Sequence, residues 1–446
     1  MTNPGTASGK QLELPLVPPE DEARVGDRRA EAPVCLPNLL ERALDRSNLF
    51  RALRQVRRNK GAPGIDGMTV DELPGYLKKH WPSIRAQIYA GRYRPQAVLR
   101  KEIPKAGGGV RELGIPTVLD RLIQQALMQV LQREWDRTFS RFSFGFRPRR
   151  SAHQAVACAQ QFLREGYDWV VDLDLERFFD RVVHDVLMSR VKKRVRDGRV
   201  LKLIDRYLKS GVLIGVTLEP TREGVPQGGP LSPLMANLLL DDLDRELERR
   251  GHRFVRYADD VNIYVRSQRA GERVLASVSR FLRKRLKLRV NVEKSAVDRP
   301  GRRTFLGFTF VGRQYRRRVS EKALKALRWK VKRVTRRTRG RTLYWILRDL
   351  RKALLGWRAY FGFGEVPSPL RDLDKWIRRR LRCYLWKQWG KRGYRELRRH
   401  GVTSDLAWNT SKSAHGPWRL SQSPALVYAL PTRYFRQKGL PSLVDG

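Results

Sequence analysis

Cysteine, histidine and acid are all in short supply in this chain of 446 residues. Its three cysteines, Cys35, Cys158 and Cys383, stand far apart with no Cys-x-x-Cys pair. That excludes a disulfide scaffold and a zinc ribbon, and it suits a reducing cytosol. No apolar run approaches the ~18 residues that a membrane span needs, and the segment after Met1 lacks the apolar stretch of a secretory signal. Neither a membrane nor a secreted protein is expected. No Walker A sequence is present, which leaves a P-loop ATPase without support. The scarcest commodity is negative charge: 45 Asp+Glu face 93 Lys+Arg, a net charge of +48. So large an excess repels itself unless an anion neutralises it, and the commonest polyanion is nucleic acid. The length allows two or three folded domains.

The base is unevenly spread. Residues 1–40 hold four basic and six acidic residues and many prolines, so residues 1–37 read as a flexible leader. Residues 313–400 hold 30 Lys+Arg against six Asp+Glu, or +24. Apolar residues recur through that segment at helical spacing. Leu343, Ile346, Leu347, Leu350, Leu354 and Trp357 follow one stripe, and Trp376, Ile377, Leu381, Leu385 and Trp389 another. Trp345, Trp357, Tyr360, Phe361 and Trp386 add the bulk of a packed core. The segment is expected to be an all-α basic bundle whose charged faces track phosphates.

The centre alternates helix and strand patterns, which gives an α+β class. One helix is expected to begin at Asn38 with Glu41 at its capping-box position, another at Asp120 as N-cap, and a third over 231–250. Short β-rich runs occupy 168–175, 254–257, 261–265 and 304–310. In the run from Asp168 to Leu175, period-two geometry puts Asp172 and Asp174 on one face, with Trp169, Val171, Leu173 and Leu175 on the other. Phe254 to Val265 reads as a hairpin with Asp259 and Asp260 at its tip. Asp241-Asp242, by contrast, reads as a solvated helix face. Three carboxylates converging in a basic chain need a cation. Mg²⁺, with its preference for oxygen, fits a two-metal phosphoryl or nucleotidyl transfer site.

At these residues the chain resembles a known family. Arg256-Tyr257-Ala258-Asp259-Asp260 is similar to the YxDD signature of reverse transcriptases, and Asp174-Leu-Glu-Arg-Phe-Phe179 to their first catalytic motif. Glu223 through Pro233, with Pro226-Gln227-Gly228 inside it, resembles the PQG motif. Leu288 to Ser295 and Phe305-Leu-Gly-Phe308 resemble the next two in order. Gly61-Ala-Pro-Gly-Ile-Asp66-Gly, Ile103-Pro-Lys105, Arg111 to Pro116, and Phe144-Gly-Phe-Arg147-Pro148 are similar to bacterial group II intron reverse transcriptases, which also act as maturases. The resemblance covers about residues 38–445. It does not extend to the zinc-supported endonuclease of many members, since only Cys383, His400 and His415 fall late in the chain. Mobility would then need a nick or single-stranded target from elsewhere.

The resemblance implies a right-hand polymerase: fingers and palm over 38–312, a helical thumb/maturase domain over 313–400, and a nucleic-acid-binding tail over 401–446. It implies Asp174, Asp259 and Asp260 as catalytic carboxylates. The same three and the Leu175 carbonyl would bind two Mg²⁺, with Mn²⁺ a possible substitute. Phe179 would refuse a 2′-hydroxyl, Lys105 and Arg111 would grip the triphosphate, Gln227 and Gly228 would lie near the templating pair, and Lys294 would offer a proton to pyrophosphate. Glu176 stands where relatives often carry a basic residue, and His153 and His184 read as structural or RNA-contacting. The implied partners are group II intron RNA, an RNA template with a DNA primer, a DNA target and dNTPs, in the bacterial cytoplasm or nucleoid. The alternatives are a free-standing relative in DNA repair or defence, and a splicing cofactor without polymerase activity.

Overall fold

The computed structural model describes residues 37–104, 110–215, 217–221 and 223–444. The leader up to residue 36 and Lys105 lie outside the described residues. The chain divides into two compact units, one ending at Arg299 and the other starting at Pro300. Position 312/313, the boundary that the resemblance implies, lies within the second unit, in the turn of a β-hairpin.

The first unit opens with α1 (Leu39–Ala43), α2 (Arg46–Asn59) and α3 (Leu73–Tyr89). The single helix anticipated from Asn38 is thus two. Asn38 is left-handed and makes no side-chain cap, while Asp45 accepts from the Ser47 and Asn48 amides and starts α2. Strands β1 (Val98–Pro104) and β2 (Val110–Ile115) pair antiparallel, closing with Pro104 opposite Val110. Next comes α4 (Val118–Trp135), whose N-cap is Thr117 and not Asp120. The Asp120 side chain is buried and takes hydrogen bonds from Tyr93, Thr117 and the Gln96 amide. Burial outweighs these donors and holds its carboxyl above the usual range.

After α5 (Ala152–Arg164) come β3 (Trp169–Leu173), α6 (His184–Arg194), α7 (Gly198–Leu208), β4 (Val212–Ile214) and β5 (Thr217–Glu219). The unit closes with α8 (Ser232–Arg249), β6 (Arg253–Tyr257), β7 (Asp260–Val265), α9 (Gln268–Phe281) and β8 (Ala296–Asp298). Two four-stranded sheets result, ordered β2-β1-β4-β5 and β6-β7-β3-β8. The period-two reading of the second sheet holds. Val171, Leu173, Leu175, Val261, Ile263 and Val265 belong to one apolar core with α4 and α8, leaving the carboxylates on the opposite face. Asp241 departs from expectation. It is 2% exposed, paired with Arg194 at 2.7 Å and Arg245 at 2.9 Å, so it is a buried strut rather than a solvated acid. Burial pushes its carboxyl up to about 6.

The second unit begins with the hairpin β9 (Phe308–Val311) and β10 (Arg316–Val319). From there on it is helical: α10 (Glu321–Val334), α11 (Leu343–Phe361), α12 (Ser368–Trp389), and five shorter helices, α13 (Gly393–Arg399), α14 (Ser404–Lys412), α15 (Pro417–Leu420), α16 (Pro424–Ala429) and α17 (Thr432–Gln437). Strand β10 is the exception to the all-α reading of 313–400. Both stripes do line the core, with Ile346, Leu347, Leu350, Leu354, Ile377, Leu381 and Leu385 buried. Trp345, assigned to the core by its bulk, is instead 40% exposed, with the Arg348 guanidinium 3.9 Å over its ring. Among the described residues no helix is long and apolar enough to cross a membrane.

Candidate active site

Strand register brings the carboxylates together. Leu173 of β3 lies opposite Val261 of β7, so the next residues, Asp174 and Asp260, meet at the same end of the sheet. Tyr257 pairs with Asp260, which leaves Ala258 and Asp259 as a two-residue hairpin tip. Tight hairpins of this kind need a positive φ at their first tip residue, and Ala258 has φ +59°. Left-handed alanine costs about 1–2 kcal/mol, so the tip requires external support. Two residues before Asp174 on the same face, Asp172 takes a 3.0 Å hydrogen bond from Asn262 with the Asn262 amide turned to donate.

The backbone around Asp174 is braced by the segment that carries Lys294. Asp174 N–H donates to Ser295 Oγ (3.0 Å), Asn291 N–H to the Asp174 carbonyl (2.9 Å), and Glu176 N–H to the Arg289 carbonyl (2.9 Å). Leu175 bridges to Val290 and is buried. Glu176 pairs with Arg181 at 2.7 Å.

The acids feel one another. The Asp260 carboxyl is pushed up to about 6, first by desolvation and then by the negative charges of Asp259, Asp172 and Asp174. Asp260 also keeps an exposed face in the tip, so it is a crowded surface carboxyl and not a sealed one. Among the described residues no three His, Cys, Asp or Glu side chains are gathered as a metal-holding group. The donor set still suits a hard cation, because every cause acting on Asp260 disfavours its charge and a divalent ion would relieve that repulsion.

Asp260 binds its proton more tightly folded than unfolded, so ionising it costs stability as pH rises from 3.8 to about 6. After discounting for solvent screening this is about 1 kcal/mol. Without divalent ions, Asp260→Asn is expected to melt about 2 °C higher than wild type at pH 7.5 and at the same temperature near pH 4. A variant that melts lower at pH 7.5 would refute the like-charge reading.

Along the PQG segment lies an open cleft of about 430 Å³, lined among others by Arg100, Glu112, Gly114, Phe179, Asp180 and Gln227. Phe179 packs edge-on against buried Phe178, and its carbonyl accepts from the Val225 amide at 2.7 Å. That bond fastens the PQG segment to the Asp174 motif. Gln227 Nε2 donates to Asp180 Oδ1 at 3.2 Å, and the Gln227 carbonyl accepts from Gly114 N–H at 3.0 Å. Asp180 sits above the usual carboxylate range because of desolvation, reinforced by Glu112 and countered by Gln227. Gly228 has φ +138°, and a Cβ there would stand 2.5 Å from the Gly114 carbonyl. Gly228→Ala is therefore expected to push the two motifs apart, destabilising the unit by about 1–3 kcal/mol. Single-nucleotide incorporation should fall more than RNA affinity; equal incorporation would contradict the close approach.

Of the residues singled out in the sequence, Asp174, Asp259 and Asp260 fall at one end of the sheet, with Leu175 following Asp174, while Phe179 and Gln227 line the cleft and Gly228 packs on Gly114. Arg111 lies on β2, opposite Ile103. Lys294 is exposed in the segment bracing Asp174. His184 is buried, with its Nε2 2.7 Å from the Gly224 carbonyl, a structural role. Asp180, Arg100 and Glu112 were missed. Asp180 adjoins Phe179 in sequence, which is a usable signal, whereas the other two look like any charges on a solvated strand.

Two family models match the chain: reverse transcriptase (RNA-dependent DNA polymerase) over residues 103–310, and the group II intron maturase-specific domain over 324–401. Protein YkfC of Escherichia coli (strain K12) is 30% identical over 61% of this chain and 81% of its own length. The group II intron-encoded protein LtrA of Lactococcus lactis subsp. cremoris is 35% identical over 44% of this chain, which spans a third of LtrA. Among solved structures, a partial Cas6-RT-Cas1–Cas2 complex aligns at 26% identity over 55% of this chain and 42% of that one. The TM-score is 0.36. The chain thus belongs to the group II intron family of reverse transcriptases, RNA-directed DNA polymerases that carry a maturase domain for splicing.

Proposed function

We propose that Asp174, Asp259 and Asp260 are the carboxylates at which a dNTP is joined to a primer 3′-hydroxyl on an RNA template. The observation that supports this reading is the register that sets Asp174 and Asp260 side by side beneath the Ala258–Asp259 tip. These three side chains and the Leu175 carbonyl would hold two Mg²⁺ or Mn²⁺ ions, which when bound activate the attacking hydroxyl and neutralise the leaving triphosphate. Phe179, one of the residues lining the cleft, excludes a 2′-hydroxyl of an incoming sugar by bulk. Gln227 and Gly228 flank the templating pair, where the bare glycine lets the strand approach. Lys105 and Arg111 hold the triphosphate as cations. Lys294 donates a proton to the departing pyrophosphate.

Residues 313–400 serve as thumb and maturase surface and 401–446 as a further nucleic-acid contact. The partners are intron RNA, a primed RNA template and a DNA target, in the bacterial cytoplasm or nucleoid. Primer extension on an RNA template with dNTPs tests the reading. DNA product should require a divalent ion and vanish with chelator, and ribonucleotides should substitute poorly until Phe179 is changed to Ala. Extension unaffected by chelation would remove the metal-carboxylate assignment.

A further inference from the structure

Behind the sheet, directly beneath the Ala258–Asp259 tip, lies a charged network that the nucleotidyl-transfer roles above do not use. Arg256 and Asp244 are both 0% exposed in their side chains and form a two-point pair, Nε to Oδ1 at 2.7 Å and Nη2 to Oδ2 at 2.5 Å. The third guanidinium nitrogen, Nη1, donates to the Asn237 Oδ1 and to the Ala258 carbonyl, each at 2.9 Å. Asn237 in turn donates to the Gly145 carbonyl at 2.9 Å. Gly145 itself presses on the tip, since a Cβ there would stand 2.2 Å from the Ala258 nitrogen. The flanking backbone is tied as well: Phe144 N–H donates to the Arg256 carbonyl, and Arg256 N–H to the Phe142 carbonyl, both at 2.9 Å. Asn237 and Asp244 both stand on α8, the helix whose first residue, Ser232, donates to the Pro226 carbonyl of the PQG segment at 2.7 Å.

A buried ion pair is a poor device for stability, because two desolvated charges offset most of their own attraction. A planar fork that meets several acceptors at fixed angles is a good device for holding geometry. We infer that Arg256, held by Asp244 and Asn237, is a positioning residue that keeps the left-handed Ala258 tip, and with it Asp259 and Asp260, in register with the PQG segment through α8. The inference rests on the assignment of Asp259 and Asp260 as the reacting carboxylates. A misplacement of the tip by about 1 Å is enough to lower turnover about a hundredfold.

Arg256→Lys keeps the charge opposite Asp244 but cannot serve Asn237 and the Ala258 carbonyl at once. In single-nucleotide extension on primed RNA its kcat is expected to fall about a hundredfold, with dNTP KM and duplex affinity within about threefold of wild type. The Mg²⁺ concentration for half-maximal extension should rise. A role in folding alone would lower the active fraction without moving that midpoint. The paired variant Asp244→Leu/Arg256→Met removes both charges together, so no ion is left buried alone. It is expected to melt cooperatively near wild type and to show the same loss of kcat. Wild-type kcat and metal midpoint in either folded variant would overturn the inference. So would failure of both variants to fold, because the network would then serve the fold and not the tip. Asp259→Ala run alongside separates the two readings. If it extends normally, the carboxylate assignment fails; if it is dead while the Arg256 variants are unimpaired, only the positioning role fails.

Discussion

Asp259→Ala is expected to lower RNA-templated extension at least about 10³-fold, equivalent to about 4 kcal/mol of transition-state stabilisation. Binding to primed RNA should stay within about threefold of wild type, because the phosphate-contacting base of the chain is untouched. The variant should also fold normally. Asp259 lies in the tip between paired Tyr257 and Asp260, and its removal takes away one of the like charges that raise the Asp260 carboxyl. With Mg²⁺ absent, the variant should therefore be no less stable than wild type at neutral pH. A stabilised but inactive protein is the signature of a site that stores charge repulsion for function. Parallel measurement of extension, RNA affinity and melting checks all three. Extension at an unreduced rate would remove Asp259 from the site.

The second large effect concerns salt. Residues 313–400 carry +24, and the second unit exposes aromatic rings among that charge: Trp329 is 62% exposed, Tyr344 68% and Trp345 40%. Arg333 lies 5.0 Å over Trp329 and Arg348 3.9 Å over Trp345, so guanidinium and ring present joint stacking platforms. If about six to ten phosphates are neutralised, affinity for structured RNA should fall about 10³–10⁵-fold between 50 and 200 mM salt. Replacing Arg333 and Arg348 with Gln should reduce the slope by about two counterions while leaving the fold intact. A flat titration would contradict the role given to this segment.

The carboxylate-bearing face of the sheet was legible in the sequence because it depends on short-range geometry. Period two alone put Asp172 and Asp174 on the face opposite Val171 and Leu173, and the core confirms it. Helix starts were less legible. Asn38 and Asp120 both have capping chemistry, yet Asp45 and Thr117 do the capping. The Asp120 carboxylate is engaged by Tyr93 and Thr117 in a buried network, and competition from tertiary donors is invisible in a local window. Trp345 and Asp241 failed for the same reason in opposite directions. A ring expected inside lies out under a guanidinium, and an acid expected outside is buried between two arginines.

By itself the sequence determined the partner class, the α+β order and the carboxylate-bearing face. Net charge, hydropathy period and motif spacing are properties of neighbours along the chain, and they survive without knowledge of the fold. Only the tertiary structure decided what holds the Ala258–Asp259 tip. Gly145 meets Ala258 across more than a hundred residues, and Asp244 looks like one more acid on a helix until Arg256 is seen beneath the hairpin. The energy of such contacts depends on excluding water from both partners at once. No stretch of sequence carries that information, because burial is created by the chain closing on itself.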